Sequence, residues 1–187
     1  MTFRSHITLG FIGGFALTYM PNFVLYKESD IIAVLPLITL GSIFPDIDEP
    51  NSYIGKRMPG FSHIVSMLFG HRGFTHFLAF PAILCFLGVY FFPNLVFFIY
   101  AFCFGILMHQ IGDMVTKSGI PKYFFPLAYG PFKNLKAVLL PQPFRFRTGG
   151  KVEMLFVLPT LLALLGLIIW DKYGEWIFAQ IWRFING

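Results

Sequence analysis

The sequence predicts an all-α membrane protein, a polytopic bundle of about five short transmembrane helices followed by an interfacial C-terminal helix. Three observations support this class. Of the 187 residues, 56% are hydrophobic and only 12% are charged, against roughly 25% charged residues in a soluble domain. The mean hydropathy is +0.69. Uncharged runs recur along the chain between short polar segments, and the length suits a single membrane-embedded domain over residues 1–187.

The first four helices follow from uncharged segments. Residues 7–26 predict the first span and residues 31–44 a second, shorter one. A long uncharged stretch follows, and the turn signal at Pro93 divides it into antiparallel helices over 75–92 and 95–114. A full span needs ~20 residues, so we expect some of these helices to be too short to cross the hydrocarbon core.

The remainder of the chain contains one further span. Residues 115–151 combine basic side chains with Pro and Gly, and we expect this segment to lie on the membrane. Residues 152–170 predict the last span, ending before Asp171. The tail 171–187 carries aromatic and aliphatic residues at helical spacing, which predicts an interfacial helix.

The basic residues predict the orientation. With five spans, the N-terminus, the loop after the second span and the 115–151 segment share one face. Of the 14 Lys and Arg residues, only Lys27, Lys172 and Arg183 fall on the other face. Because such charges are retained in the cytoplasm, we expect the N-terminus inside and the C-terminus outside. The net charge of +5 is therefore a topology signal, and we expect no nucleic-acid partner.

Histidines and aspartates collect near the span ends on that same face. The set is His6, Asp46, Asp48, His71, His76, His109 and Asp113. Imidazole and carboxylate groups suit Zn²⁺ or Mn²⁺, and ionisable groups close to lipid are costly and usually functional. Because seven candidate ligands are more than one tetrahedral ion binds, we predict one or two divalent ions, Zn or Mn. A hydrogen-bond network without metal is the alternative.

Other residues are less specific candidates. Arg145 and Arg147 precede a Thr-Gly-Gly turn and could hold a phosphate bidentately, with ordinary headgroup contact as the alternative. Glu153, at the start of the last span, is a candidate extra ligand or base. The two cysteines, Cys85 and Cys103, lie in apolar runs and predict neither a disulfide nor a metal site.

Four motifs occur in a fixed order: FPDIDEP at 44–50, GHRGFTH at 70–76, HQIGDMVTKSG at 109–119 and RFRTGG at 145–150. This set resembles the YdjM-like family of bacterial inner-membrane proteins, described as membrane-bound metal-dependent hydrolases. The resemblance covers residues 4–153 and implies metal-linked roles for the same seven residues.

The resemblance also assigns further residues to the site, namely Arg72, Thr75, Thr116 and Gly119. Two positions depart from the family pattern. Glu49 stands where the family often has His, and Phe77 where it often has Ser. Both departures concern the surroundings of the expected ligands and leave the ligands themselves unchanged.

The leading hypothesis is an inner-membrane metal-dependent hydrolase that acts on a lipid phosphoester or another headgroup bond at the cytoplasmic interface. Arg72 and Glu153 are its candidate catalytic residues, and Arg145, Arg147 and Thr116 its candidate substrate-binding residues. One alternative is a divalent-metal or anion transporter, although transporters place their polar sites near the bilayer midplane. The other is a scaffold with a structural metal, which closed coordination would favour.

Reporter fusions test the orientation. A fusion within residues 50–60 is expected to report the cytoplasm and a fusion after Gly187 the outside, because an odd number of predicted spans separates the two positions. A periplasmic signal from residues 50–60 would contradict this topology and move the site to the other face.

Overall fold

The computed structural model describes residues 1–20, 28–126, 130 and 135–186. Within these ranges the fold is all-helical, which confirms the predicted class, and no strand forms. The helices are α1 (Phe3–Ala16), α2 (Glu28–Ile43), α3 (Pro59–Phe69), α4 (Ala79–Phe91), α5 (Val96–Met114) and α6 (Leu158–Asn186). Between α5 and α6, isolated bridges pair Thr116 with Phe146 and Ile120 with Ala137.

Three helical segments in the described residues are long and apolar enough to cross a membrane: Ile31–Asp48, Pro93–Met114 and Glu153–Ile185. They correspond to the second, fourth and fifth predicted spans. In contrast, α1 and α4 contain 14 and 13 residues. At 1.5 Å per residue they cover ~20 Å, less than the ~30 Å hydrocarbon core. The end of the first predicted span, residues 21–26, lies outside the described residues.

Helix α3 lies within the loop that the sequence predicts after the second span. Pro59 begins the helix, where its missing N–H costs nothing. Gly70 ends it with a φ of 71°, a backbone conformation that favours glycine. Ser62 and Val65 are buried, whereas Met67 and its apolar neighbours are exposed. The loop expectation is therefore wrong for this stretch, which forms an amphipathic helix.

The C-terminal helix also differs from the prediction. A π-helical turn, Glu153–Val157, leads directly into α6, which continues through Asp171 to Asn186. The tail is thus helical as predicted, but as far as residue 186 it continues α6 instead of forming a separate helix. The charged side chains at 171 and 172 do not end the helix, because both contact Tyr19: its hydroxyl donates to Asp171 Oδ2 at 2.5 Å, and Lys172 Nζ lies 4.3 Å from its ring centroid.

The closest approach in the bundle is between α2 and α5. A Cβ on Gly41 would lie 2.1 Å from the carbonyl oxygen of Phe102, and one on Gly105 would lie 2.1 Å from that of Ile38. The two backbones are thus in direct contact, as small residues permit between membrane helices. Buried apolar residues, Val34 among them, pack beside this crossing.

Alanine at the crossing is expected to destabilise the fold. Gly41→Ala or Gly105→Ala forces two backbones apart, and overpacking of this kind costs about 1–3 kcal/mol. The matched control is Gly166→Ala on α6, where an added Cβ meets nothing within 4 Å. We expect it to be neutral or stabilising. Thermal unfolding in detergent measures the difference, and equal midpoints for all three variants would contradict the close contact.

Candidate metal centre

The predicted polar residues meet at one end of the bundle. This end contains the beginning of α1, the ends of α2 and α5, and the turns Phe44–Asp48 and Phe74–His76. We call the seven residues predicted from sequence the His/Asp cluster. The C-termini of two helices carry partial negative charge at this position, and such ends favour a bound cation.

The centre of the cluster is buried and consists of His76, His109 and Asp113. The Nε2 atoms of the two histidines lie 3.1 Å apart. Asp113 Oδ2 lies 3.5 Å from His76 Nε2 and 3.8 Å from His109 Nε2. A second group consists of His109 with His6 and Asp46, and in each group the ligand atoms all lie within 4.8 Å of one another. Three protein ligands leave a coordination position for water or substrate.

Hydrogen bonds on the far side of each imidazole determine which nitrogen faces the cluster. His109 Nδ1 lies 2.8 Å from the carbonyl oxygen of Ser42, which can only accept, so Nδ1 carries the hydrogen. His76 Nδ1 lies 3.0 Å from Asp48 Oδ2. When both Nδ1 atoms are protonated in this way, the two Nε2 lone pairs face each other. That arrangement requires a proton or a metal ion between them, and bonds of this kind commonly orient metal-binding histidines.

The charge balance at His76 agrees with this arrangement. Burial lowers the pKa of His76, but its bonds to Asp113 and Asp48 outweigh burial and raise the pKa to about 9. The two carboxylates thus favour a positive charge beside this ring. A divalent cation held by the same groups would provide that charge.

His6 provides an independent indication of a ligand. It is fully buried, and its ring stacks on that of His109 with centroids 3.7 Å apart. Its Nε2 lies 3.4 Å from Asp113 Oδ1, yet neither ring nitrogen makes a hydrogen bond within the described part of the chain. Leaving a buried polar group unsatisfied costs ~1–3 kcal/mol. The imidazole nitrogens and carboxylate oxygens gathered here therefore fit a divalent ion.

Asp48 and His71 lie behind the two ligand groups. Asp48 Oδ2 accepts a hydrogen bond of 2.8 Å from Thr75 Oγ1, and Oδ1 lies 3.1 Å from His71 Nδ1. The His71 side chain is 46% exposed. The structure thus places five of the seven predicted residues in the two ligand groups. Asp48 and His71 lie outside these groups, and Asp48 orients His76.

Arg72 holds the carboxylate of Asp113. One guanidinium nitrogen, Nη2, lies 2.9 Å from Asp113 Oδ2, while Nη1 donates to the carbonyl oxygen of Gly119 at 2.6 Å. Thr116 Oγ1 lies 3.4 Å from the same Nη1 and is fully buried. The Met1 amino group contacts the other oxygen of Asp113. These contacts make Arg72 and Thr116 positioning residues in this arrangement.

Glu153 ties the start of the last helix to the start of α1. Its Oε1 accepts hydrogen bonds from the Thr2 backbone N–H at 2.6 Å and from Ser5 Oγ at 2.7 Å. Its Oε2 accepts one from the Gly149 N–H at 2.8 Å. Since Ser5 precedes His6, Glu153 fixes the position of a candidate ligand rather than contacting the cluster.

The two arginines predicted to hold phosphate lie beside the cluster rather than in it. Arg145 Nε donates to the Leu140 carbonyl at 2.6 Å, and Arg147 is exposed. The intervening Phe146 is buried, and its carbonyl accepts a hydrogen bond from the Lys117 N–H. This extended segment is thereby held next to the site.

A cavity of about 320 Å³ reaches the cluster from outside, and we call it the polar cavity because most of its lining residues carry polar side chains. It is lined by Asp46, Glu49, His71, Arg72 and Thr148, among others. The Asp46 side chain is 18% exposed, so it connects the cavity to the buried ligand groups. Solvent or a substrate group can therefore approach the cluster through this cavity.

Sequence reasoning missed the groups that support the ligands. Gln110 is fully buried; its side chain donates to the Phe77 carbonyl and accepts from the Tyr123 hydroxyl, each at 3.1 Å. Burial raises the pKa of that hydroxyl, which keeps it protonated as a donor. A polar residue next to His109 in an apolar run was the available signal. The role of the Ser42 carbonyl could not be predicted from the sequence, because every residue has a backbone carbonyl.

The fold and the site together define a helical membrane protein with a buried His/Asp cluster at one end of its bundle. The model of the YdjM inner membrane protein family matches residues 1–183, and the chain belongs to this family. Membership and the apolar helices together support an inner-membrane location.

Three curated relatives illustrate the similarity. Inner membrane protein YdjM of Escherichia coli (strain K12) and that of Shigella flexneri are each 34% identical over 100 residues, half of this chain and half of theirs. The chain thus spans about half the length of these two relatives. Uncharacterized protein YvsG of Bacillus subtilis (strain 168) is 30% identical over 163 residues, 87% of this chain and 91% of its own. No solved structure matches the chain.

Metal content tests the ligand groups. Replacing His109, which belongs to both groups, with Ala is expected to lower bound Zn²⁺ or Mn²⁺ by more than the ~10–100-fold typical of supporting residues. The control is His63→Ala, because His63 is exposed on α3 and its Nδ1 bonds to the Pro59 carbonyl. Elemental analysis of purified protein measures the metal-to-protein ratio. Metal lost from the control but kept by His109→Ala would show that the ligand set is wrong.

Metal removal should also lower stability. Buried carboxylates and imidazoles without a cation are costly, and a ligand at 100 times its Kd adds about 2.7 kcal/mol to the free energy of unfolding. We expect chelation to lower the thermal midpoint in detergent and re-addition of metal to restore it. An unchanged midpoint after verified metal loss would contradict a buried site.

Proposed function

We propose that this protein is a membrane-bound metal-dependent hydrolase whose site lies at the cytoplasmic membrane interface. Its substrate would be a lipid, cleaved at a phosphoester or another headgroup bond. The observation that carries this proposal is the connection between the buried ligand groups and the polar cavity through Asp46. A purely structural ion would need no such access.

Different residues of the cluster would bind the metal ion and accept a proton. His76, His109 and Asp113 would hold the ion, with His6 and Asp46 as the alternative partners of His109. When bound, a divalent ion supplies Lewis-acid polarisation and activates water. Asp46 faces the cavity and is placed to accept a proton from water there.

Arg72 would act in two ways. It lines the polar cavity, where its charge favours an anionic headgroup, and it fixes Asp113 through a contact of 2.9 Å. Farther out, the Arg57 guanidinium lies 3.6 Å from the centroid of the Tyr53 ring, which also lines the cavity. Basic groups at a cavity mouth attract phosphate-bearing ligands. Arg145 and Arg147 would add to this rim.

Two features favour a lipid over a soluble substrate. The cluster lies where spanning helices end, which is the level of the headgroups, and α3 exposes Phe61, Ile64 and Met67 beside it. This helix is apolar and too short to span a membrane, and its exposed side chains are suited to contact lipid. The site would therefore open toward lipid headgroups.

The two alternatives make different demands on the site. A transporter needs access from both sides and places its polar groups near the midplane, whereas this cluster lies at one end of α2 and α5. A scaffold with a structural metal needs closed coordination, which the cavity at Asp46 argues against. Both alternatives remain distinguishable by experiment.

Activity is tested on purified protein in detergent with phospholipids of defined headgroup, loaded with Zn²⁺ or Mn²⁺ and then chelated. We expect metal-dependent release of a headgroup product. His109→Ala should lower it at least about 100-fold, since changes in supporting residues alone cost ~10–100-fold. His63→Ala should retain activity.

Two outcomes would contradict the hydrolase. Metal-bound protein that leaves every lipid intact and carries metal into sealed vesicles would be a transporter. Protein that binds metal and neither cleaves lipid nor moves ions would be a scaffold.

A further inference from the structure

The segment between α5 and α6 carries only positive charge. The sequence has no Asp or Glu between Asp113 and Glu153, and those two bounding acids are buried and bonded elsewhere. Within residues 1–20, 28–126, 130 and 135–186, no ion pair neutralises a basic side chain of this segment. The basic residues of the segment are Lys117, Lys122, Lys133, Lys136, Arg145, Arg147 and Lys151.

Backbone hydrogen bonds join three separate stretches of this segment. The Lys117 N–H donates to the Phe146 carbonyl oxygen at 2.8 Å. Ile120 and Ala137 donate to each other's carbonyl oxygens, at 3.1 and 2.9 Å. The stretches therefore form one hydrogen-bonded unit instead of three independent loops. We call residues 116–120, 136–137 and 145–147 the basic platform.

The basic platform has a buried face and an exposed face. The buried side chains are Thr116, Ile120 and Phe146. The exposed side chains include Lys117, Lys136 and Arg147. Lys136 Nζ donates to the Lys117 carbonyl oxygen at 3.0 Å, and the Lys117 N–H bonds to the residue that precedes Arg147. These three cations are therefore neighbours on the exposed face.

The buried face of the basic platform holds Arg72 in the His/Asp cluster. The Gly119 carbonyl oxygen accepts from Arg72 Nη1 at 2.6 Å, while Nη2 lies 2.9 Å from Asp113 Oδ2. Thr116 Oγ1 donates to the Asp113 carbonyl oxygen at 2.7 Å. A shift of the platform would therefore move Arg72 relative to Asp113.

The segment that contains the basic platform lies at the level of the membrane surface. It begins where α5 ends and stops where the last apolar segment starts, and both of these elements are long enough to span a membrane. It also exposes apolar side chains close to its cations, since Leu139 is 55% and Phe144 71% exposed. Basic and apolar side chains together match a headgroup layer above hydrocarbon.

We propose that the basic platform is a docking surface for anionic phospholipid headgroups, and that lipid bound there fixes the position of Arg72 and thereby of Asp113. Basic residues beside a membrane are attracted to anionic lipid. The exposed Leu139 and Phe144 favour a lipid surface over an acidic polypeptide. The inference does not rest on the proposed function, because it requires no hydrolysis.

Membrane topology alone does not account for this arrangement. Retention of positive charge on one side of the membrane requires basic residues in the segment. It does not require three of them to be neighbours on one face of a hydrogen-bonded unit whose other face holds Arg72. The arrangement matches a surface that binds anionic lipid and transmits the binding to the cluster.

Amide hydrogen exchange tests the docking surface. Purified protein in neutral detergent is titrated with phosphatidylglycerol, with phosphatidylcholine or with inorganic phosphate. Mass spectrometry follows exchange in peptides that cover residues 116–120, 136–139 and 70–78. We expect phosphatidylglycerol alone to slow exchange in all three, because bound lipid stabilises the platform and Arg72 together. Added salt should weaken the effect, since it screens charges at the surface.

Single-charge variants test which residues bind the lipid. Lys117→Gln and Lys136→Gln are each expected to raise the phosphatidylglycerol concentration for half-maximal slowing about fivefold, and the double variant about 25-fold. Lys117→Arg keeps the charge and should behave as the unmodified protein. The matched control is Arg183→Gln, which removes one positive charge from the last turn of α6. Unchanged thermal midpoints without lipid establish that the compared variants are folded.

The outcomes separate this inference from the hydrolase proposal. Slowing by phosphatidylglycerol that the double variant weakens and Arg183→Gln preserves supports the docking surface even if no lipid is cleaved. Equal slowing by phosphatidylcholine or by inorganic phosphate would overturn it, as would equal losses in Lys117→Gln and Arg183→Gln. Slowing that never extends to residues 70–78 would overturn the link to Arg72. Each of these results would stand even if the protein hydrolyses lipids.

Discussion

The contact between the backbones of α2 and α5 is the constraint on which the site depends. Gly41 and Gly105 let the helices approach until a Cβ on either would lie 2.1 Å from a carbonyl oxygen of the other. One residue beyond Gly41, the Ser42 carbonyl reaches His109 Nδ1 at 2.8 Å. One turn farther along, the chain leaves α2 and places Asp46 beside the same imidazole. A wider crossing would move Asp46 and the Ser42 carbonyl away from His109, and the ligand group of His6, Asp46 and His109 could not form.

Most of the buried ionisable groups in this cluster have a defined partner, which offsets the cost of burying them. Asp113 is held by Arg72 at 2.9 Å and also contacts the Met1 amino group. Asp48 is satisfied by Thr75 and by the two histidines beside it. Partial satisfaction of a buried network is costly, and His6 is the member left with unmet nitrogens. Arg72 Nε is also buried without a hydrogen-bond partner among the described residues. The unsatisfied nitrogens of His6 lie beside His109 and Asp113, which is the position expected for a bound ion.

The sequence predicted the donors because they stand where apolar runs end, and helix ends in a bundle meet at one membrane level. It did not predict α3, since the apolar run of this 11-residue helix is too short to indicate a span and lies between charged flanks. It placed a helix end before Asp171, because Trp followed by charge usually marks an interface, but only packing and solvation decide whether a helix stops there. The role of Glu153 was beyond reach, because Thr2 and Ser5 approach it only in the folded chain.

The length of the C-terminal helical segment affects the position of the protein in its bilayer. The apolar segment Glu153–Ile185 has 33 residues, which makes a helix ~50 Å long against a ~30 Å hydrocarbon core. Transmembrane helices tilt by ~0–40°. Even at the largest of these tilts, the helix is longer than the thickness of the hydrocarbon core. The far end therefore emerges from the lipid, while the near end is bonded to α1 through Glu153. Because Glu153 bonds the start of this helix to Thr2 and Ser5, a change in the tilt of the helix would be transmitted to the amino end of α1, next to His6.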